Sequence, residues 1–203
     1  MRVLGVDPGL GRCGWAVLEG RGGRAVAAGY GTIHTDGDQV APRLATLAAR
    51  LRQVLADHRP EALAIERLFF NANVRTAMTV GQASGVVLLL AAEHGLEVSA
   101  YTPPQVKQAV TGSGSAPKEQ VGYMVKALLG LATVPAPADT ADALAVALCH
   151  LNHAGLAGLG AAGPTDGTGR GGGVGSAPAA DWLARAAPTS PGLRPPPAKG
   201  ARR

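Results

Sequence analysis

The chain is poor in aromatic residues, sparing with cysteine and without a long apolar run. Phe, Trp and Tyr make up 3% of its 203 residues, so a core built from this sequence must be aliphatic and alanine-rich. Hydrophobic residues reach 46%, enough to bury one such core. No apolar stretch approaches the roughly 20 residues that a membrane-spanning helix needs. The opening Met1-Arg-Val-Leu-Gly-Val-Asp7 reads as a strand carrying an acid and not as a signal peptide. Cys13 and Cys149 form neither a CxxC pair nor a metal-ligand spacing. Two scattered cysteines fit a reducing, cytoplasmic setting, with both thiols as small core residues. His150 and His153 stand three apart, but near the far end of the last expected helix, where a metal site is not expected. No internal repeat is visible.

The net charge of +5 is unevenly spread. Residues 1–153 hold 13 Lys+Arg against 12 Asp+Glu, whereas residues 154–203 hold 6 against 2. The basic character therefore belongs mostly to the end of the chain, and net charge alone is a weak argument for nucleic-acid binding by the rest.

Punctuation and periodicity divide residues 1–153 into alternating elements. Strands are expected at 2–7, 13–19 and about 24–35, with Pro8-Gly9 and Gly22-Gly23 as turns and antiparallel hairpins between them. Leu44, Leu47, Leu51, Val54 and Leu55 recur at helical spacing over 40–58. A strand at 61–66 comes next, placed by the helical crossover to run parallel to the first. A helix over 73–94 carries Gly81-Gln-Ala-Ser-Gly85 at its centre, two glycines that cost about 1 kcal/mol each relative to alanine. Close approach of another backbone, from the sheet or a second subunit, would offset that cost. A strand at 97–101 and helices at 103–110, 117–130 and 140–153 complete the order. The reading is an α/β domain with a mixed five-stranded sheet flanked by helices. Of the last 50 residues, 12 are Gly and 7 are Pro, so residues 154–203 are expected to be a disordered Gly/Pro/Ala-rich basic tail.

Four acids carry the chemistry. Asp7 and Glu66 each end a near-continuous apolar run, Arg2-Val-Leu-Gly-Val-Asp7 and Ala62-Leu-Ala-Ile-Glu66, the pattern of strands buried on both faces. As parallel neighbours, the two strands would present both acids at one carboxyl edge, where α/β sheets bind ligands. Two acids there repel unless something positive lies between them, and a divalent metal is the simplest candidate. A turn-starting Asp in Asp7-Pro8-Gly9 has an ordinary explanation; Glu66 has none, since Arg67 beside it points to the opposite face. Asp139 and Asp142, three apart at a helix start, taken alone read as capping residues, yet the same spacing lets them share a ligand. If the four acids hold metal, 13 basic residues face only 8 acidic ones over residues 1–153, a modest surplus suited to phosphate.

The ordered set Val6-Asp7-Pro-Gly-Leu10 with Gly14, Ala64-Ile-Glu66, Gly81-Gln-Ala-Ser-Gly85, Gln105-Val-Lys107, Gly112-Ser-Gly-Ser-Ala-Pro-Lys118 and Ala138-Asp-Thr-Ala-Asp-Ala-Leu144 resembles the RuvC family of Holliday-junction resolvases over residues 1–153. The resemblance implies a ribonuclease H-like fold and a homodimeric, Mg²⁺-dependent endonuclease. It would make paired symmetric nicks in a four-way DNA junction during recombination and repair. Two Mg²⁺ ions per subunit, with Mn²⁺ as a substitute, would be held by Asp7, Glu66, Asp139 and Asp142. Some members carry His at the position of Asp139. Lys107 and Lys118 match basic positions near the scissile phosphate, where they would stabilise developing negative charge. Phe69 matches a residue that stacks on or wedges between junction bases, whereas Phe70 has core packing as its ordinary reading. Arg67, Asn71, Asn73 and Arg75 are candidate contacts to the DNA backbone. A branch-migration motor of the RuvA and RuvB type is the implied partner.

Three other readings compete. A ribonuclease H-like nuclease acting on RNA, of the YqgF type, would not be expected to combine Phe69 with Lys107 and Lys118. A non-catalytic junction-binding protein would not need four intact acids. An actin-like ATPase domain needs a second phosphate-binding Asp-x-Gly and a longer chain.

Overall fold

The structure is a computed structural model that describes residues 1–67 and 74–160, the side chains of 74–76 and 156–160 excepted. Phe69, Phe70, Asn71 and Asn73, the side chain of Arg75 and the expected tail from residue 161 onward lie outside the described residues.

Two hairpins open the fold. Strand β1 (Arg2–Asp7) pairs antiparallel with β2 (Arg12–Arg21), and β2 with β3 (Arg24–His34). The second turn is Gly22-Gly23, with φ of 54° and 78°. Two consecutive positive φ values are what a two-residue turn matched to strand twist requires, and only glycine adopts them freely. Helix α1 (Val40–His58) then crosses the sheet and returns the chain as β4 (Ala62–Glu66), parallel to β1 with Val6 opposite Ile65. Helix α2 (Val74–Glu93) makes a second crossover to β5 (Glu97–Tyr101), parallel to β4. The sheet order is β3-β2-β1-β4-β5, the mixed five-stranded arrangement expected. Helices α3 (Pro103–Thr111), α4 (Lys118–Leu129) and α5 (Ala138–Gly160) complete the described chain. The last helix runs to Gly160, past the expected end at 153, so the helical part reaches into the stretch assigned to the tail.

The period-two alternation of the strands sorts their side chains into two cores. Leu4, Val6, Leu63 and Ile65 pack with Leu47, Leu51 and Leu55 of α1 and Val87 and Leu90 of α2. Val3, Ala62 and Ala64 face the other way, onto Val106 of α3, Val121 and Val125 of α4 and the run 143–149 of α5. Because β1 and β4 are covered on both faces, they read as continuous apolar runs. Both cysteines are free and buried, as expected of core residues, and burial pushes each thiol up to about 12. Burial also lowers the pKa of His150, whose Nδ1 is hydrogen-bonded to the Tyr101 hydroxyl at 2.9 Å.

Small residues let α5 lie close on the sheet. A Cβ at Gly5 would collide with the Ala143 carbonyl and with Ala147, and one at Gly14 with the Asp139 carbonyl. Ala143 and Ala147 are fully buried at this contact. By contrast, a Cβ at Gly81 or Gly85 of α2 would meet nothing within 4 Å among the described residues. Close approach of the sheet does not explain those glycines.

Candidate active site

Strand parity decides which way the acids point. Asp7 shares its face with Val3 and Gly5, and Glu66 shares its face with Ala62 and Ala64; that face is the one α5 covers. The register brings the ends of β1 and β4 side by side. Helix α5 starts directly over them, with Asp139 in its first turn and Asp142 one turn on. Its start is fixed from two sides, by the Gly14 contact and by a 2.8 Å hydrogen bond between the Thr32 and Thr140 hydroxyls. Asp139 thus lies within the helix, not at the cap position that the sequence reading allowed. Its carboxylate Oδ2 meets Arg12 Nε at 3.3 Å.

Asp7 feels the other three acids. Asp7 is pushed up to about 7, first by burial and then by the negative charges of Asp142, Glu66 and Asp139, with Lys118 pulling the other way. Glu66 is raised by burial and by Asp142, and lowered by Lys118 and Lys107. Lys118 Nζ lies 2.6 Å from Asp142 Oδ2, and this bond raises the lysine's own pKa. Lys118 is the first residue of α4, where the helix dipole disfavours a positive charge. Its place beside the acids offsets that cost and weakens the case for an ordinary surface lysine. Among the described residues, no three His, Cys, Asp or Glu side chains close tightly enough to enclose an ion. Asp142 and Asp139 are engaged by Lys118 and Arg12 instead.

Neighbouring elements hold these groups in place. The loop after Asp7 is tied down by Thr35, whose hydroxyl donates to the Leu10 carbonyl and whose N–H donates to the Gly11 carbonyl at 3.1 Å. Arg43 Nε donates to the Thr35 hydroxyl at 3.2 Å. Helix α3, which carries half-buried Lys107, has Pro103 and Pro104 in its first turn and a capping box between Thr102 and Gln105. Gln105, singled out in the motif beside Lys107, is therefore a helix cap. The loop before Lys118 is fixed by Gln108, which donates to the Gly112 carbonyl at 2.9 Å and accepts from Gly114 N–H at 3.1 Å. Arg67 is exposed just past Glu66, its N–H donating to the Tyr101 carbonyl at 2.7 Å.

The structure thus brings together Asp7, Glu66, Asp139, Asp142, Lys107 and Lys118. Sequence reasoning missed Arg12. The hairpin register could have found it, since Arg12 starts β2 two residues before Gly14, the partner of Asp7. As donors the cluster suits a hard divalent cation: four carboxylates, one raised to about 7 by burial and then by its like-charged neighbours, with no sulfur or imidazole.

Comparison with known proteins gives this arrangement a lineage. The family model described as "Crossover junction endodeoxyribonuclease RuvC" matches residues 3–150. A protein of that name from Frankia alni is 50% identical over 205 aligned residues, covering 100% of this chain and 92% of its own length. One from Moorella thermoacetica is 52% identical over 155 residues, 76% of this chain and 93% of its own. The solved structure of Thermus thermophilus RuvC in complex with Holliday junction substrate superposes with a TM-score of 0.74 at 41% identity, covering 77% of this chain and 96% of that one. With half of its residues shared with a relative along its whole length, the chain belongs to the RuvC family of crossover junction endodeoxyribonucleases.

Proposed function

We propose that this chain resolves four-way DNA junctions by paired symmetric nicks, a hydrolysis of phosphodiester bonds in recombination and repair, at a site built from Asp7, Glu66, Asp139 and Asp142. The observation that carries the assignment is the convergence of four carboxylates from two parallel strand ends and one helix start, where burial first, and then the charges of the other three acids, raise Asp7 to about 7. So much negative charge in one place stores repulsion that a divalent cation relieves. Mg²⁺, two ions per subunit, is the cation we assign, with Mn²⁺ as a substitute. When bound, the ions supply a lowered pKa for the attacking water and charge for the leaving 3′-oxygen.

The chain's own residues do the rest. The four acids fix where the phosphodiester sits. Lys118, with its side chain 65% exposed, can exchange Asp142 for a phosphate oxygen. Lys107 lies on the Glu66 side of the cluster, so positive groups flank the reacting phosphate and oppose the charge that builds in the transition state. Arg67, Asn73 and Arg75 are assigned to the DNA backbone and Phe69 to the junction bases.

Cutting two opposed strands symmetrically needs two sites related by a twofold axis, hence a homodimer. We assign its interface to the outer face of α2, where Met78, Leu88 and Leu89 are exposed beside Gly81 and Gly85. That face gives the two glycines the second backbone that the sheet does not supply. A branch-migration motor of the RuvA and RuvB type is the assigned partner and the cytoplasm the assigned compartment, in keeping with two free cysteines. The nuclease unit is taken as residues 1–153 with the rest of α5, and the residues beyond it as a Gly/Pro/Ala-rich basic tail with no fold of its own.

The test is incubation with a synthetic four-way junction, a linear duplex and an RNA–DNA hybrid, each with Mg²⁺ or EDTA. Paired symmetric nicks confined to the junction and abolished by EDTA are expected. Cleavage of the hybrid instead would assign the site to RNA.

A further inference from the structure

A groove of about 1300 Å³ lies at the far end of α5 from the acids. The β2–β3 turn, one side of α3 and the last described turns of α5 wall it in. Met1, Ala25, Gln108, Leu151 and Ala154 are among its lining residues, and the lining is mainly apolar. β1 runs from Arg2, next to Met1 in the groove, to Asp7, in the site. Along α5, Ala154 lies about 22 Å beyond Asp139 at the helical rise. None of the four acids lines the groove.

The chain itself continues from this place. Gly155 lines the groove, α5 ends at Gly160, and 43 residues remain beyond it. Those residues are mainly Gly, Pro, Ala and polar types. Their large apolar side chains are Val174, Trp182, Leu183 and Leu193, and only Trp182 and Leu183 are adjacent. Trp182 lies 22 residues beyond Gly160, the end of α5, and a Gly-rich linker of that length spans about 23–28 Å. The reach is ample for a return to the groove. Charge agrees: Asp181, one of two acids beyond Gly160, precedes Trp182, and Arg24 at the groove's rim has no ion pair among the described residues.

We propose that the segment Asp181-Trp182-Leu183 folds back into this groove in the same chain, with Trp182 and Leu183 filling the apolar recess and Asp181 meeting Arg24. The tether makes weak intrinsic affinity sufficient. At an effective concentration of about 1 mM, a segment with Kd of about 0.1 mM as a free peptide is docked about nine-tenths of the time. Docking ties the end of α5 to the hairpin and α3 without touching the acids, so it acts on stability and not on cleavage.

The chain has two tryptophans, Trp15 and Trp182, so Trp15→Phe in the full-length protein leaves Trp182 as the sole reporter. Its emission should lie to the blue of the same chain unfolded in guanidinium, with severalfold weaker acrylamide quenching and no change on hundredfold dilution. Ala154→Glu, on the groove wall, should return both signals to unfolded-like values while circular dichroism still reports a folded protein. Arg24→Glu should raise quenching, and Arg24→Glu with Asp181→Lys should lower it again; this pair decides if Ala154→Glu does not fold. Solvent-like emission in the Trp15→Phe protein would overturn the proposal. So would protection that ignores the groove and rim variants, which places Trp182 elsewhere. Protection lost on dilution would assign the groove to the tail of a second copy and overturn docking within one chain.

Discussion

At the residue scale, Asp7 shows how a fold stores electrostatic repulsion for use. Folded Asp7 keeps its proton to about pH 7, whereas the unfolded chain releases it near 3.8. Between those values the folded state binds more protons, so this group's contribution to stability is lost as pH rises through that window. At pH 8 the ionised side chain is disfavoured by about 4 kcal/mol relative to the unfolded chain. In EDTA at pH 8, Asp7→Asn should therefore melt several degrees above the unchanged protein, and at pH 5 the gap should shrink. Mg²⁺ should raise the melting temperature of the unchanged protein more at pH 8 than at pH 5, and raise that of Asp7→Asn less. The same variant should bind junctions but lose metal-dependent cleavage; wild-type cutting by it would remove Asp7 from the metal site. Asp7 and Glu66 were legible in the sequence because an acid ending an apolar strand has few structural uses. Arg12 was only half legible: the hairpin register puts it near Asp7, but its pairing with Asp139 depends on where α5 starts, which no local pattern gives.

At the element scale, α5 decides whether there is a site at all. Two of the four acids ride on its first turns, and its closeness to the sheet rests on Gly5 and Gly14. A methyl group at Gly14 would collide with the Asp139 carbonyl, which is backbone and has no rotamer to escape into. Gly14→Ala is expected to fold, with Tm lowered by a few degrees, and to cut junctions at least tenfold more slowly. Full activity would show that the helix start tolerates displacement. The helix itself was visible as a run of alanine, leucine and valine after two acids. Its extension to Gly160 was missed because residues 154–160 share the small, Gly-rich composition of the tail, which masks their helical run. The central glycines of α2 were correctly read as unusual, but the sequence offered two partners for them and the structure removed the sheet as one.

For the whole molecule, the proposed paired cutting would make quaternary structure part of the chemistry. Leu89 on α2 is 57% exposed, so Leu89→Arg should leave the fold intact. Sedimentation should show it shifted toward monomer, and junction cleavage should give single nicks in place of paired ones. An unchanged dimer would move the interface off α2. Removing residues 161–203 should keep cleavage within about twofold while lowering Tm by a few degrees, in line with apolar burial lost from two side chains. Complete loss of cleavage would make the tail part of the site. The sequence by itself determined the element order and the parallel pairing of the first and fourth strands, and it singled out the four acids as candidates. Those properties come from period, turn chemistry and the cost of burying charge, all of which act over a few neighbouring residues. Only the tertiary structure decided that α5 begins over the ends of β1 and β4, that Arg12 and Lys118 meet Asp139 and Asp142, and that a groove opens where the helix ends. These depend on how elements distant in the sequence pack together, fixed by how closely one helix can lie on glycines that the sequence shows only as small.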